Sequence, residues 1–170
     1  MIIDLASLGT TAKRIDVEFD PADIDLEGEL VRLHEKTVVA GEIEKVDAKA
    51  RLSGTINAHL MLDCTRCLEP IERDVEVAFR AIFIHGGGDE TSAEAELSED
   101  ALDESIAFDG QIDVAEVVRE QLLLWLPEQI FCREDCRGLC PKCGVNRNLI
   151  DCKCADDEVD PRWAALKNLK

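Results

Sequence analysis

The chain has 170 residues, 46% hydrophobic and 33% charged, with 37 acidic against 19 basic side chains and a net charge of −18. That length suits one ordinary domain with a smaller appendage, and so acidic a surface repels nucleic-acid phosphate over most of its area and favours basic protein partners. No run of 18 apolar residues is present, which argues against a helical membrane span, and MIIDLASLGTTAKR lacks the features of a secretion signal, so a cytoplasmic location is expected.

From Arg14 to Phe19 apolar Ile15, Val17 and Phe19 alternate with Asp16 and Glu18, the pattern of a half-buried strand. Asp20-Pro21 and the acidic residues to Gly28 read as a turn-rich connection. Strand-like runs follow at Leu30 to Leu33, Lys36 to Glu44, Asp47 to Leu52 and Gly54 to Leu62. Short strands at this spacing suggest an antiparallel meander or small barrel. The last of them enters CTRC, and alternation resumes at Ile71, Val75, Val77, Phe79, Ala81 and Phe83, which places Cys64 and Cys67 at the turn of a hairpin.

At His85 the chain changes character. Three glycines open a stretch with nine acidic residues between Asp89 and Asp109 and no basic one, expected to be a mobile acidic loop over about 85–110. The clearest helix follows. Asp113 is its N-cap, Glu116 stands three residues on, Val114, Val117, Val118, Leu122 and Trp125 share a face, and Pro127 stops it. It is expected to be one long helix buried against the sheet, with Trp125 in packing. DPRWAALKNLK closes the chain as a short helix, Asp160 capping and Pro161 at its first position. The fold class expected is therefore α+β: a β-rich core domain over 1–130 with its helix, then a cysteine-rich segment and terminal helix over 131–170.

Six of the eight cysteines lie in the 23 residues CREDCRGLCPKCGVNRNLIDCKC, from Cys132 to Cys154. Reduced thiols at such density in a cytosolic protein point to metal rather than disulfides. Four thiolates make a structural zinc site, and a Cys-x2-Cys doublet presents two sulfurs through one tight turn. In Cys140-Pro141-Lys142-Cys143-Gly144, Pro141 sets φ and Gly144 frees the backbone so that amides can aim at sulfur. Consecutive doublets divide into Cys64, Cys67, Cys132 and Cys136, and Cys140, Cys143, Cys152 and Cys154. A single site of Cys136, Cys140, Cys143 with Cys152 or Cys154 is the alternative, and an iron–sulfur cluster competes with one or two zinc ions. His34, His59 and His85 read as surface or core side chains.

No Ser/His/Asp arrangement, paired-carboxylate motif or phosphate loop stands out, so no enzyme is expected. A redox Cys-x-x-Cys calls for a strand-then-helix context, which CTRC lacks.

CTRCLEP, then CREDCRGLCPKCGVNRNLIDCKC and DPRWAALKNL, in the order β-rich part, CxRC, acidic loop, LLLWLP helix end, GLCPKCGVNRN and terminal helix, resemble the YceD family of large ribosomal RNA subunit accumulation proteins. The resemblance spans roughly residues 10 to 170, with GLCPKCGVNRN its most specific part; Trp125 stands where the family often has a small residue. It implies a role in accumulation of large-subunit (23S) rRNA, hence ribosome biogenesis, with no catalytic step. The partners implied are large-subunit assembly components: a basic ribosomal protein held by the acidic loop, or 23S rRNA itself. For direct RNA contact the candidates are Arg137, Lys142 and Arg147, with Asn146 and Asn148 as hydrogen-bonding groups. A thiol redox protein is the remaining reading.

Overall fold

The computed structural model describes residues 1–9, 11–26, 31–85 and 104–154 and the positions Arg162 and Leu166. The chain forms two compact units. Met1–Asp63 and Pro70–Glu128 make the first, Cys64–Glu69 and Gln129–Lys170 the second. Cys64–Glu69, which the linear reading counted with 1–130, groups instead with the cysteine-rich segment, because its thiols belong there.

In the first unit the strands are β1 (Ile2–Asp4), β2 (Lys13–Phe19), β3 (Val31–Leu33), β4 (Thr37–Val46), β5 (Lys49–Asp63), β6 (Pro70–His85), β7 (Glu104–Ala107) and β8 (Gln111–Asp113), and the helix is α1 (Val114–Trp125). One sheet runs β2-β4-β5-β6-β7, with β3 pairing the far end of β5. It curls as a half-barrel and stays open, with β2 and β7 as its edges, rather than closing as a barrel. Pairing is antiparallel except between β6 and β7.

The alternation seen in the sequence becomes the core. Val39, Ile43, Leu52, Ile56, Leu60 and Leu62 point to one face and are almost wholly buried. Apolar burial on this scale is the main force closing the unit. β5 is one strand of 15 residues, where the sequence reads as two runs separated at Ser53-Gly54. The reason lies across the ladder. Gly54 pairs with Gly41 of β4, and a Cβ on Gly54 would lie 2.4 Å from the Ala40 carbonyl oxygen. Two glycines face to face let the backbones close up where any side chain would clash.

Three expectations are corrected. Glu104–Ala107, assigned to the acidic loop over about 85–110, is a strand in parallel register with β6, Ile82 opposite Glu104; Phe108–Gly110 is a 3-10 turn and His85 ends β6, while 86–103 lies outside the described residues. α1 has 12 residues, an ordinary three turns rather than one long helix. Val114, Val117, Val118 and Leu122 are its buried face, but Leu124 is 72% and Trp125 39% exposed. Leu124 falls off the buried stripe, whereas Trp125 stays in line with Val114 and Val118 and is exposed as the last residue of the helix, where the buried stripe ends before Pro127. Asp113 does cap it, accepting from the Ala115 amide at 3.0 Å, while Glu116 pairs with Arg119 instead of reaching back.

The short terminal helix lies outside the described residues, apart from Arg162 and Leu166. No helix among the described residues is long and apolar enough to cross a membrane.

Candidate metal centre

The second unit begins where β5 ends. In the turn Cys64–Glu69 the Cys64 amide donates to the Glu69 carbonyl and the Leu68 amide to the Cys64 carbonyl, both at 2.9 Å, with Leu68 at φ 60. Thr65 ties this turn to the later segment: its amide and its hydroxyl donate to the Ile130 carbonyl at 2.8 and 3.0 Å. Arg66 adds a second tie. Its guanidinium donates to the Cys136 carbonyl at 3.0 Å and lies 3.9 Å above the Phe131 ring, while its own carbonyl accepts from the Leu139 amide. Gly138 passes so close that a Cβ would meet that carbonyl oxygen at 3.0 Å, and its φ is +69. Glycine alone suits both conditions.

These ties gather the eight thiols into two tetrads. Cys64, Cys67, Cys132 and Cys136 have all four sulfurs within 4.8 Å of one another, as do Cys140, Cys143, Cys152 and Cys154. This is the consecutive-doublet grouping; the alternative single site built on Cys136, Cys140 and Cys143 does not form. Four sulfurs about 2.3 Å from a tetrahedral ion stand about 3.8 Å apart. Cys64 and Cys136 are 3.8 Å apart and Cys67 and Cys132 3.6 Å. A cluster of several irons would spread its ligands farther than one ion does, so the spacing fits a single tetrahedral metal.

Sulfur chemistry within each tetrad points the same way. Burial pushes the Cys64 thiol up, but the backbone amides of Arg66, Cys132 and Cys67 outweigh it and bring the thiol down to about 6. The Cys143 and Lys142 amides bring Cys140 down to about 6. Their partners go the other way: burial foremost lifts Cys67 to about 12, and the adjacent Cys143 thiol, then burial, lifts Cys154 to about 12. Each group thus holds one thiol brought down beside another pushed up. A dication at the centre removes that conflict.

The knuckle between the doublets is built as its sequence implies. Gly144, at φ +72, donates to the Cys140 carbonyl at 2.8 Å, and the Cys140 amide donates to the Val145 carbonyl at 2.9 Å. Asn146 and Asn148, offered above as RNA-contacting groups, are engaged inside the unit. The Asn148 amide nitrogen donates to the Cys136 sulfur at 3.3 Å, and its carbonyl oxygen accepts from the Arg137 amide at 2.7 Å. Burial pushes the Cys136 thiol up, yet Asn148 and the Gly138 amide bring it below its ordinary value. Asn146 donates to Glu69 at 3.1 Å and accepts from the Asn148 amide. Asn148 therefore supports the Cys136 sulfur from behind, a role the sequence signals only as asparagines in a turn-rich loop.

Of the proposed contact residues, Arg137 pairs with Asp151 at 2.7 Å, Lys142 is exposed, and Arg147 donates its amide to the Gly138 carbonyl.

Among known families, the one described as large ribosomal RNA subunit accumulation protein YceD matches residues 52–170. Rv2926c of Mycobacterium tuberculosis is 32% identical over 174 residues, covering 98% of this chain and 79% of the relative. YlbN of Bacillus subtilis is 30% identical over 155 residues, 83% of this chain and 85% of the relative. A chloroplastic YCED homolog 1 of Arabidopsis thaliana is 24% identical over 153 residues, 78% of this chain and 48% of the relative. No solved structure matches. With the family's match running from within β5 through both cysteine tetrads, the chain belongs to the YceD family.

Proposed function

We propose that this chain is a non-catalytic, zinc-binding ribosome-biogenesis factor that acts in the cytoplasm and supports accumulation of large-subunit (23S) rRNA. The observation that carries the metal half is the pair of four-thiol groups at single-ion spacing. Family membership carries the rRNA half. Zinc would be held by Cys64, Cys67, Cys132 and Cys136 at one site and Cys140, Cys143, Cys152 and Cys154 at the other. It supplies cross-linking of chain segments rather than Lewis-acid chemistry, since four protein ligands leave no open position. All eight cysteines are used in this way, which disfavours the redox reading.

The partner we favour is a basic ribosomal protein held by acidic surface, the segment about 85–110 included. Charge decides between this and direct RNA binding. Five basic residues against three acidic ones lie between Arg133 and Lys153, a surplus of two. Two four-thiolate zinc sites bring about −4, so the loaded knuckle is not cationic.

The test is depletion of the protein in its own cell, reading 23S against 16S rRNA. A selective fall in 23S, restored by the wild-type chain and not by Cys140→Ser, is expected. Restoration by a chain with Arg137, Lys142 and Arg147 neutralised supports the protein-partner reading. Loss of RNA affinity in that variant would favour direct rRNA binding through the knuckle.

A further inference from the structure

The two tetrads differ in how far their sulfurs are shielded. In the first, Cys64 is 0%, Cys67 4% and Cys136 5% exposed, leaving Cys132 alone at the surface. In the second only Cys140 is buried; Cys143 is exposed, and Cys152 and Cys154 are half-buried. The surroundings differ as well. The first has Arg66 over Phe131, the doubly bonded Thr65 and the Asn148 side chain on Cys136. Around the second, Lys142 stands between Cys140 and Cys143, and Lys153 between Cys152 and Cys154. Both lysines are exposed and neither side chain makes an ion pair or hydrogen bond among the described residues.

Resting on the zinc reading above, we infer that the second tetrad is an oxidant-responsive site, which peroxide-class oxidants open while the first keeps its metal. Reactivity of a thiolate follows its access and its local charge. Exposed Cys143 offers the access, and its chain neighbour Lys142 carries an ammonium without an ion pair among the described residues, which favours the approach of a polar oxidant. Its sulfur attacks one peroxide oxygen, the O–O bond breaks and water leaves, giving a sulfenic acid. A neighbouring thiolate, within 4.8 Å, displaces the second oxygen as water and closes a disulfide. A second peroxide repeats this on the remaining pair. In balance, one zinc tetrathiolate, two hydrogen peroxides and four protons give one zinc ion, two disulfides and four waters. In the first tetrad the same chemistry must start at Cys132 and finish among sulfurs closed to solvent.

The experiment treats the full-length, zinc-loaded chain with hydrogen peroxide. Released zinc is followed with a metallochromic dye, and thiols are mapped by differential alkylation and mass spectrometry. Two zinc ions per chain at the start, one released at least ~10-fold faster than the other, with oxidation confined to Cys140, Cys143, Cys152 and Cys154, is the expected result. A Cys154→Ser chain is expected to carry one zinc that resists peroxide. Simultaneous release of both ions, or earlier oxidation of Cys64, Cys67, Cys132 and Cys136, overturns the inference while leaving the zinc reading intact. One zinc or none before peroxide overturns the two-site reading and this inference with it.

Discussion

Asn148 illustrates how a single side chain can organise a group of thiols from outside it. Its two amide atoms hold the Cys136 sulfur and the Arg137 amide together, so ligand position and backbone position are fixed by one residue. Replacing such a supporting group usually costs 10–100-fold in metal affinity. Asn148→Ala is therefore expected to lower zinc affinity by about that factor in chelator competition. Asn148→Asp is expected to do worse, because it sets a negative charge against a thiolate. Unchanged affinity in both would mean that the contact is incidental. A second residue carries a cost that can be removed. Thr37 is fully buried, and its hydroxyl has no hydrogen-bond partner among the described residues. An unsatisfied buried hydroxyl costs about 1–3 kcal/mol. Thr37→Val should raise stability by about 1 kcal/mol in urea denaturation, and a loss of stability would show that the oxygen is in fact bonded.

Among the elements, the β4–β5 ladder depends on the Gly41–Gly54 pair. An alanine at 54 puts its methyl 2.4 Å from a backbone oxygen, where no rotamer can relieve it. Overpacking of this kind costs typically 1–3 kcal/mol, so Gly54→Ala is expected to lower the unfolding midpoint strongly, while Ser53→Ala, one residue away, is nearly neutral. This pair also marks the limit of what the sequence displays. Period-two alternation made β2, β4, β5 and β6 legible, because one buried face writes itself into every second residue. Glycine at 54 read as a break only because its partner 13 positions earlier is invisible to local pattern. β1 and β7 were missed for a related reason: IID and ESIA are too short to show a period. Each is a strand only because β8 or β6 pairs with it. The helix was placed correctly and its cap identified, but its length and the fate of Trp125 depend on where the stripe leaves the sheet. The tetrads were legible because chain order and spatial order coincide, doublet by doublet. Their amide donors and Asn148 were not, because backbone direction has no residue code.

At the scale of the whole molecule, the division into units has a chemical consequence. The first unit is held by apolar burial in a sheet and helix. Among the described residues of the second, the buried apolar side chains are cysteines, and no strand or α-helix is present. Such a segment has too little core to hold itself, so on the zinc reading proposed above the ions would supply the folding energy. Removal of metal should therefore act on one unit only. With a strong chelator present, the amides of Cys140 and Gly144 are expected to lose hydrogen-exchange protection while those of β5 and β6 keep theirs. Acid should do the same, and the sign follows from the thiols. Each must give up its proton to bind, and Cys64 and Cys140, at about 6, are the first to ionise. Above pH 6 these two are already thiolates and do not oppose binding. Below it they too must lose a proton to bind, so affinity falls more steeply with each further drop in pH. Zinc titration against a competing chelator at pH 5.5 and 7.5 is expected to show weaker binding at the lower value by well over an order of magnitude. Equal affinity at the two pH values, or protection that survives chelation, would show that something other than thiolate–metal bonds holds Cys64–Glu69 to the later segment.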